Sequence, residues 1–111
     1  MAAIILMEKV HAESIADVYR EREMRKAELT AKKELCSISN AIDAAAAKGL
    51  YEYDYKVTSA ITRLADDYYA VAKAIIDADI AEAGYNVTEV LKGNRVTNYK
   101  LSWKAEDEEE Q

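Results

Sequence analysis

From about Ala12 to Lys48 the apolar positions Ile15 and Val18, then Met24, Ala27, Ala31, Leu35, Ile38, Ile42 and Ala45, return at three- and four-residue spacings. That rhythm predicts a helix with one apolar face. Small side chains fill much of the stripe, so it is narrow. Glu21 with Arg25 and Glu28 with Lys32 stand four apart with the acid first, the order that supports a helix. Proline is absent and the first glycine is Gly49, so nothing obliges the helix to break before Lys48-Gly49, a cation followed by the usual helix-ending residue.

After Gly49 the period falls to two. Tyr51, Tyr53, Tyr55 and Val57 alternate with Glu52, Asp54 and Lys56, which predicts a half-buried strand with an aromatic face. Thr58 or Ser59 is placed to cap a second helix, whose apolar positions Ile61, Leu64, Ala65, Tyr68, Ala72, Ile75, Ile76 and Ile80 keep helical spacing up to Gly84. Tyr85 to Trp103 then reads as a hairpin turning at Lys92-Gly93-Asn94. A two-residue loop pairs Val87 with Lys100 and sends Val87 and Tyr99 to opposite faces. A three-residue loop, with Asn94 left-handed, sets Val87 against Tyr99 and Tyr85 against Leu101. The second choice gathers Tyr85, Val87, Tyr99, Leu101 and Trp103 on one buried face and is the expected register. The resulting expectation is an α+β fold of order α-β-α-β-β, its three-stranded sheet covered on one side by the second helix and part of the first.

Composition narrows this further. With 111 residues there is room for one domain, expected over 1–104, with 1–48 a long helical segment and 49–104 a compact α/β unit. Phe is absent, so the eight Tyr and Trp103 must supply the large aromatic area of the core. The formal charge is −6, and five of the acids are Glu106, Asp107, Glu108, Glu109 and Glu110. The rest is nearly neutral, which disfavours a nucleic-acid partner, and residues 105–111 are expected to be a disordered acidic tail. Cys36 is the only cysteine and can form no intrachain disulfide, which favours a reducing, cytosolic setting. The apolar run Ala2 to Met7 is too short for a signal peptide or a membrane span, so no membrane partner is expected.

The candidate chemistry is sparse. His11, the only histidine, has no metal-ligand constellation around it and is expected to be solvated. Cys36 sits beside Leu35 on the helical stripe and reads as a small buried hydrophobe. Asp66-Asp67 and Asp77 with Asp79 cannot converge on a cation from one helix, because adjacent helical residues point about 100° apart. They read as a solvated face. No glycine-rich phosphate loop is present, and no pair of groups is set for acid-base or nucleophilic work. No catalytic residue, no metal and no cofactor is therefore expected, and the chain is read as a non-enzyme. Tyr51, Tyr53 and Tyr55 suit stacking or partner contact, but without Phe the core needs those rings more.

The informative anomaly is the length of the first helix. More than thirty residues at 1.5 Å each span on the order of 50 Å, whereas the second helix is expected to span on the order of 37 Å. The globule cannot cover such a rod. An uncovered N-terminal half bearing Ile4, Ile5, Leu6, Val10, Ile15 and Val18 would offer an apolar association surface, with Ile4, Ile5, Val10, Ile15 and Val18 as the candidate partner-binding residues. The alternative is a break near residues 19–25, where Tyr19-Arg20-Glu21-Arg22-Glu23 interrupts the apolar rhythm, folding the first segment back as a third helix.

Ala78 through Gly84-Tyr85-Asn86-Val87, followed by Val96-Thr97-Asn98-Tyr99-Lys100-Leu101-Ser102-Trp103, resembles the ending of many small tailed-bacteriophage proteins. In those a helix ends in Gly-Tyr, a short hairpin follows and the chain closes on an aromatic strand with Ser-Trp. Ile42 to Gly49 is similar to the helix-glycine-strand passage of the same proteins. The resemblance covers roughly the last 60 residues, leaves the N-terminal helix out and brings no catalytic residues with it. It implies a phage or prophage origin, with the host cytoplasm or the virion as the location and itself or another phage protein as the partner. Two functions follow as expectations: a virion component or assembly accessory working through helix contacts, or a small inhibitor or ligand-sequestering protein acting on host machinery through the tail and the tyrosine face.

Overall fold

The computed structural model describes residues 7–104. The fold is α+β, with α1 Lys9–Ala47, β1 Glu52–Lys56, α2 Ser59–Thr62, α3 Asp66–Glu82, β2 Asn86–Lys92 and β3 Arg95–Ser102. The strands form one antiparallel sheet in the order β1-β3-β2, so β3 is central and the other two are edges. α1 and α3 pack together on one face of the sheet. The opposite face presents Glu52, Asp54, Lys56, Thr88 and Lys100 to solvent.

α1 is one unbroken helix of 39 residues, about 58 Å long, and no turn interrupts residues 19–25. The charged run there continues the helix because its members pair along it: Arg25 donates to Glu21 at 2.7 Å and Lys26 to Glu23 at 3.0 Å. At the far end the amide of Leu50 bonds the carbonyl of Ala45 and that of Gly49 bonds Ala46, with Gly49 at φ 83°. This paired closure reverses the chain into β1. α3 ends the same way, Tyr85 bonding Ile80 and Gly84 bonding Ala81.

The second helix departs from expectation. It is two helices, a single turn α2 and then α3, separated at Arg63 to Ala65. The cause lies on β3. The Arg95 guanidinium donates to the carbonyls of Leu64 at 2.6 Å and Thr62 at 3.3 Å, and to the Asp66 carboxylate at 2.6 Å. It also lies 4.1 Å from the centre of the Tyr69 ring. Carbonyls that a continuous helix would satisfy internally are satisfied here by a side chain, which removes the cost of breaking it. Asp66 and Asp67 then fall in the first turn of α3, where carboxylates suit the helix dipole.

The hairpin register is also corrected. Lys92 pairs with Arg95, so the loop is the two residues Gly93 and Asn94, with Gly93 at φ 65° and no described non-glycine residue at positive φ. Gly93, not Asn94, takes the left-handed position, as in a type II′ turn. The register then shifts between Val90 and Leu91, which leaves Thr97 as an extra residue on β3, and beyond it Val87 pairs with Leu101 and Glu89 with Tyr99. A β-bulge thus does what the longer loop was expected to do. It also explains why Val96 and Tyr99, three apart, are both buried, which a regular strand forbids.

The core joins Ala31, Ile38 and Ile42 of α1, Tyr55 and Val57, Ile61, then Tyr69, Ala72, Ile76 and Ile80 of α3, and Val96, Tyr99 and Leu101 of β3. Tyr85 and Trp103 close one end edge to face, their ring centres 6.1 Å apart. Val87, expected in the core, is 42% exposed because it lies on edge strand β2.

Candidate partner-binding helix

α1 divides into two halves of different character. From Ala27 onward, Ala27, Ala31, Glu34, Ile38, Ile42 and Ala45 are buried against the globule. From Lys9 to Arg22 every residue is exposed, so the globule shelters only the C-terminal half. The radius of gyration, 20.3 Å, exceeds the roughly 13 Å of a compact chain this long for that reason.

The two halves do not share a face. Val18 and Ala27 are nine residues apart, which turns the helix through about 900° and sets them on opposite sides. Ile15 and Val18 were expected to continue the core stripe; they belong instead to a second stripe, on the side away from the sheet. Ile15, Val18, Arg22, Arg25 and Leu29 follow one another at alternating intervals of three and four residues. Ile15 is 50% exposed, Val18 54% and Leu29 58%. A shallow depression between Val18 and Leu29 is floored by Glu21, Arg22, Arg25 and Lys26. Val10, 75% exposed, stands about 80° around the helix from Val18 and so lies off this stripe, between it and the core face. Ile4 and Ile5 lie outside the described residues, as do residues 105–111.

The remaining candidates resolve as structure. Cys36 is exposed, not buried, because it stands about 100° around the helix from Leu35 and about 160° from the buried Ile38. His11 is exposed. Tyr55 is buried, Tyr53 and Tyr51 are exposed, so the tyrosine row divides between core and surface. Asp77 is no lone carboxylate on a solvated face. It accepts from Lys73 at 2.5 Å and from the Tyr99 hydroxyl at 3.0 Å, and Lys73 also reaches Glu89 at 3.0 Å. Burial alone would lower the Lys73 pKa, but the two carboxylates outweigh it and raise the value. Among the described residues no cluster of ligating side chains suits a metal ion, and no helix is long and apolar enough to cross a membrane.

Glu34 escaped sequence reasoning. It is 3% exposed and accepts from Thr58 Oγ1 at 2.6 Å, Thr58 N at 2.9 Å and Tyr55 Oη at 2.9 Å. Its position three after Ala31 and four before Ile38 was the available signal. The carboxylate anchors α1 to the start of α2.

Compared with known protein families, curated proteins and solved structures, the chain matches none.

Proposed function

We propose that this chain is a non-enzymatic assembly protein that works through helix contacts, its N-terminal half of α1 being the contact surface. The observation that carries the reading is that Ile15, Val18 and Leu29 all stand at least half exposed along one side of a helix whose other face is already used. An apolar stripe of this kind is costly to leave in water and is held in place by a rigid, continuous helix. The resemblance of the last 60 residues to small tailed-phage proteins makes a virion component or assembly accessory the setting, with itself or another phage protein as partner. Glu34, Lys73 and Asp77 are all engaged in hydrogen bonds within the fold, which leaves no obvious chemistry to a catalytic reading.

Val18→Glu combined with Ile15→Glu tests the reading. Carried in the parent phage or prophage, the double variant should fold as the wild type does but be lost from particles or from the particle-assembly intermediate, followed by mass spectrometry of purified fractions. Equal recovery of both proteins, or recovery of neither, counts against the reading.

A further inference from the structure

The surface proposed above has a charge pattern that selects its occupant. Residues 8–17 hold Glu8, Glu13 and Asp17 against Lys9 alone, while residues 20–26 hold Arg20, Arg22, Arg25 and Lys26 against Glu21 and Glu23. The exposed half of α1 is therefore acidic toward its start and basic toward the globule. Such a helix is complementary to itself when reversed.

Resting on the proposed contact function of this helix, we infer that the exposed stripe pairs antiparallel with the same stripe of a second copy, Ile15 of each helix beside Val18 of the other. The stripe has the three-four alternation of a coiled-coil seam, in which Glu8, Ile15, Arg22 and Leu29 take one set of positions and His11, Val18 and Arg25 the other. In an antiparallel pair each residue of one set faces a residue of the other. The register that sets Ile15 against Val18 also sets His11 against Arg22 and Glu8 against Arg25. Its two central layers are apolar and, among the described residues, its outermost paired layers are ion pairs, related by the two-fold axis. A parallel pair in register would instead stack Arg22 on Arg22, Arg25 on Arg25 and Glu8 on Glu8. Sliding the antiparallel pair by one heptad toward the globule sets Val18 against Arg22 and Ile15 against Arg25, burying charge against the apolar layers.

The fold leaves this pairing room. The seam lies on the opposite side of α1 from Ala27 and Ala31, which meet the globule, so the partner helix runs along open surface. The two globules then sit at opposite ends of the pair. Arg25 already donates to Glu21 of its own helix, but both side chains are well exposed, at 74% and 64%, and a guanidinium has donors to spare. The overlap is about five turns with polar outer layers, which makes for a concentration-dependent dimer and not an obligate one.

Charge reversal in the full chain is the test. By sedimentation across a concentration series, the wild type should pass from monomer to dimer. Glu8→Arg and Arg25→Glu should each weaken the dimer about tenfold, because two symmetry-related ion pairs become repulsions together. The double reversal should recover affinity to within about threefold of the wild type. Recovery cannot arise inside one chain, where the two positions are 17 residues, about 26 Å, apart. A second measurement does not depend on the strength of the ion pair. In a Cys36→Ser background, chains carrying Glu8→Cys and chains carrying Arg25→Cys should cross-link to each other on oxidation and neither to itself. A double reversal no better than the singles, or self-linking of Glu8→Cys, overturns the antiparallel register. A wild type that stays monomeric at every concentration overturns self-pairing altogether. The contact function then stands or falls separately, on the particle-incorporation assay of the Ile15 and Val18 double variant.

Discussion

Glu34 in the long helix accepts a 2.6 Å hydrogen bond from the hydroxyl of Thr58, the residue that precedes the single turn α2. The same carboxylate accepts the backbone amide of Thr58 and the hydroxyl of Tyr55, so one buried side chain ties together α1, β1 and α2. With three donors and, among the described residues, no cation within ion-pair distance, it is held by hydrogen bonds. Charged groups are rarely buried without such full satisfaction.

Replacing Glu34 by Ala should strand the buried Tyr55 hydroxyl and remove both bonds that tie Thr58 to α1. The expected loss is about 3 kcal/mol of unfolding free energy, read from urea denaturation, against about 1 kcal/mol for Tyr55→Phe, which removes a single bond. Glu34→Gln should fall between the two. A cost for Glu34→Ala no greater than for Tyr55→Phe would mean that the carboxylate does not anchor the three elements.

Alkaline pH should expose the same contacts. Burial, and then the neighbouring Glu34 carboxylate, push the Tyr55 phenol well above its usual value of 10.0; burial and then Asp77 do the same for Tyr99. A group whose pKa is raised by folding lends stability that is complete below the unfolded value and is lost as pH climbs past it. Stability should therefore hold up to about pH 10 and decline above it, where the unfolded chain ionises and the folded chain does not. Spectroscopic titration should find Tyr55 and Tyr99 ionising only together with unfolding. Tyr55→Phe and Tyr99→Phe should each flatten the alkaline decline.

The helix end at Gly49, the alternating strand after it and the second helix end at Gly84 were legible because each rests on local chemistry: a glycine at positive φ, or side chains two apart sharing a face. The break between α2 and α3 was not, because its cause is Arg95, some thirty residues further on, and the local start signal of α3, Asp66-Asp67, is equally at home on a solvated helix face. The hairpin shows a subtler failure. The demand that Val87 and Tyr99 share a face is met, but two devices meet it, a longer loop or a bulge, and the bulge pairs Val87 with Leu101 instead of Tyr99. On α1 the spacing of three and four was real but its phase was not followed across the six-residue step from Val18 to Met24, so two opposite stripes were read as one. Counting phase from Ala27 back to Val18 would have revealed the candidate seam directly. Glu34 was passed over because a carboxylate interrupts an apolar pattern, and the donors that satisfy it come from residues 55 and 58.

Arg95 should be hard to replace. Arg95→Ala removes the bonds to Leu64, Thr62 and Asp66 and the stacking on Tyr69, at a cost of about 2 kcal/mol. Arg95→Lys should recover less than half of that, since an ammonium cannot reproduce the planar fork. Amide exchange should localise the damage to residues 62–69, with the C-terminal turns of α3 unaffected. Uniform loosening of the whole sheet would contradict a local role.

Ala31 and Ala72 are both fully buried in the cluster where α1 meets α3. Enlarging either to Leu should overpack the contact and cost about 1–3 kcal/mol. The contrast that matters lies on the other side of α1, where Val18→Ala should change stability by less than about 0.5 kcal/mol because Val18 is 54% exposed. One helix thus carries two faces with separable duties. Mutations on the Ala31 side should lower the melting temperature and leave any association intact once folding is compensated. Mutations on the Val18 side should do the reverse.

Removing residues 1–20 carries that separation to its limit. Among the described residues lost, the one recorded ion pair to the globule is Arg20 with Asp67, at 3.8 Å and largely exposed, and such a pair contributes about 0–1 kcal/mol. Every buried member of α1, starting at Ala27, remains. The shortened chain should therefore unfold at nearly the same urea concentration as the full one. Its m-value should also be nearly unchanged, since that slope follows the surface exposed on unfolding and residues 7–20 are all exposed in the fold. Circular dichroism should lose the helical signal of the missing turns and nothing else. A marked fall in stability would show that the N-terminal half of α1 supports the globule, and its exposed stripe would then no longer call for a partner.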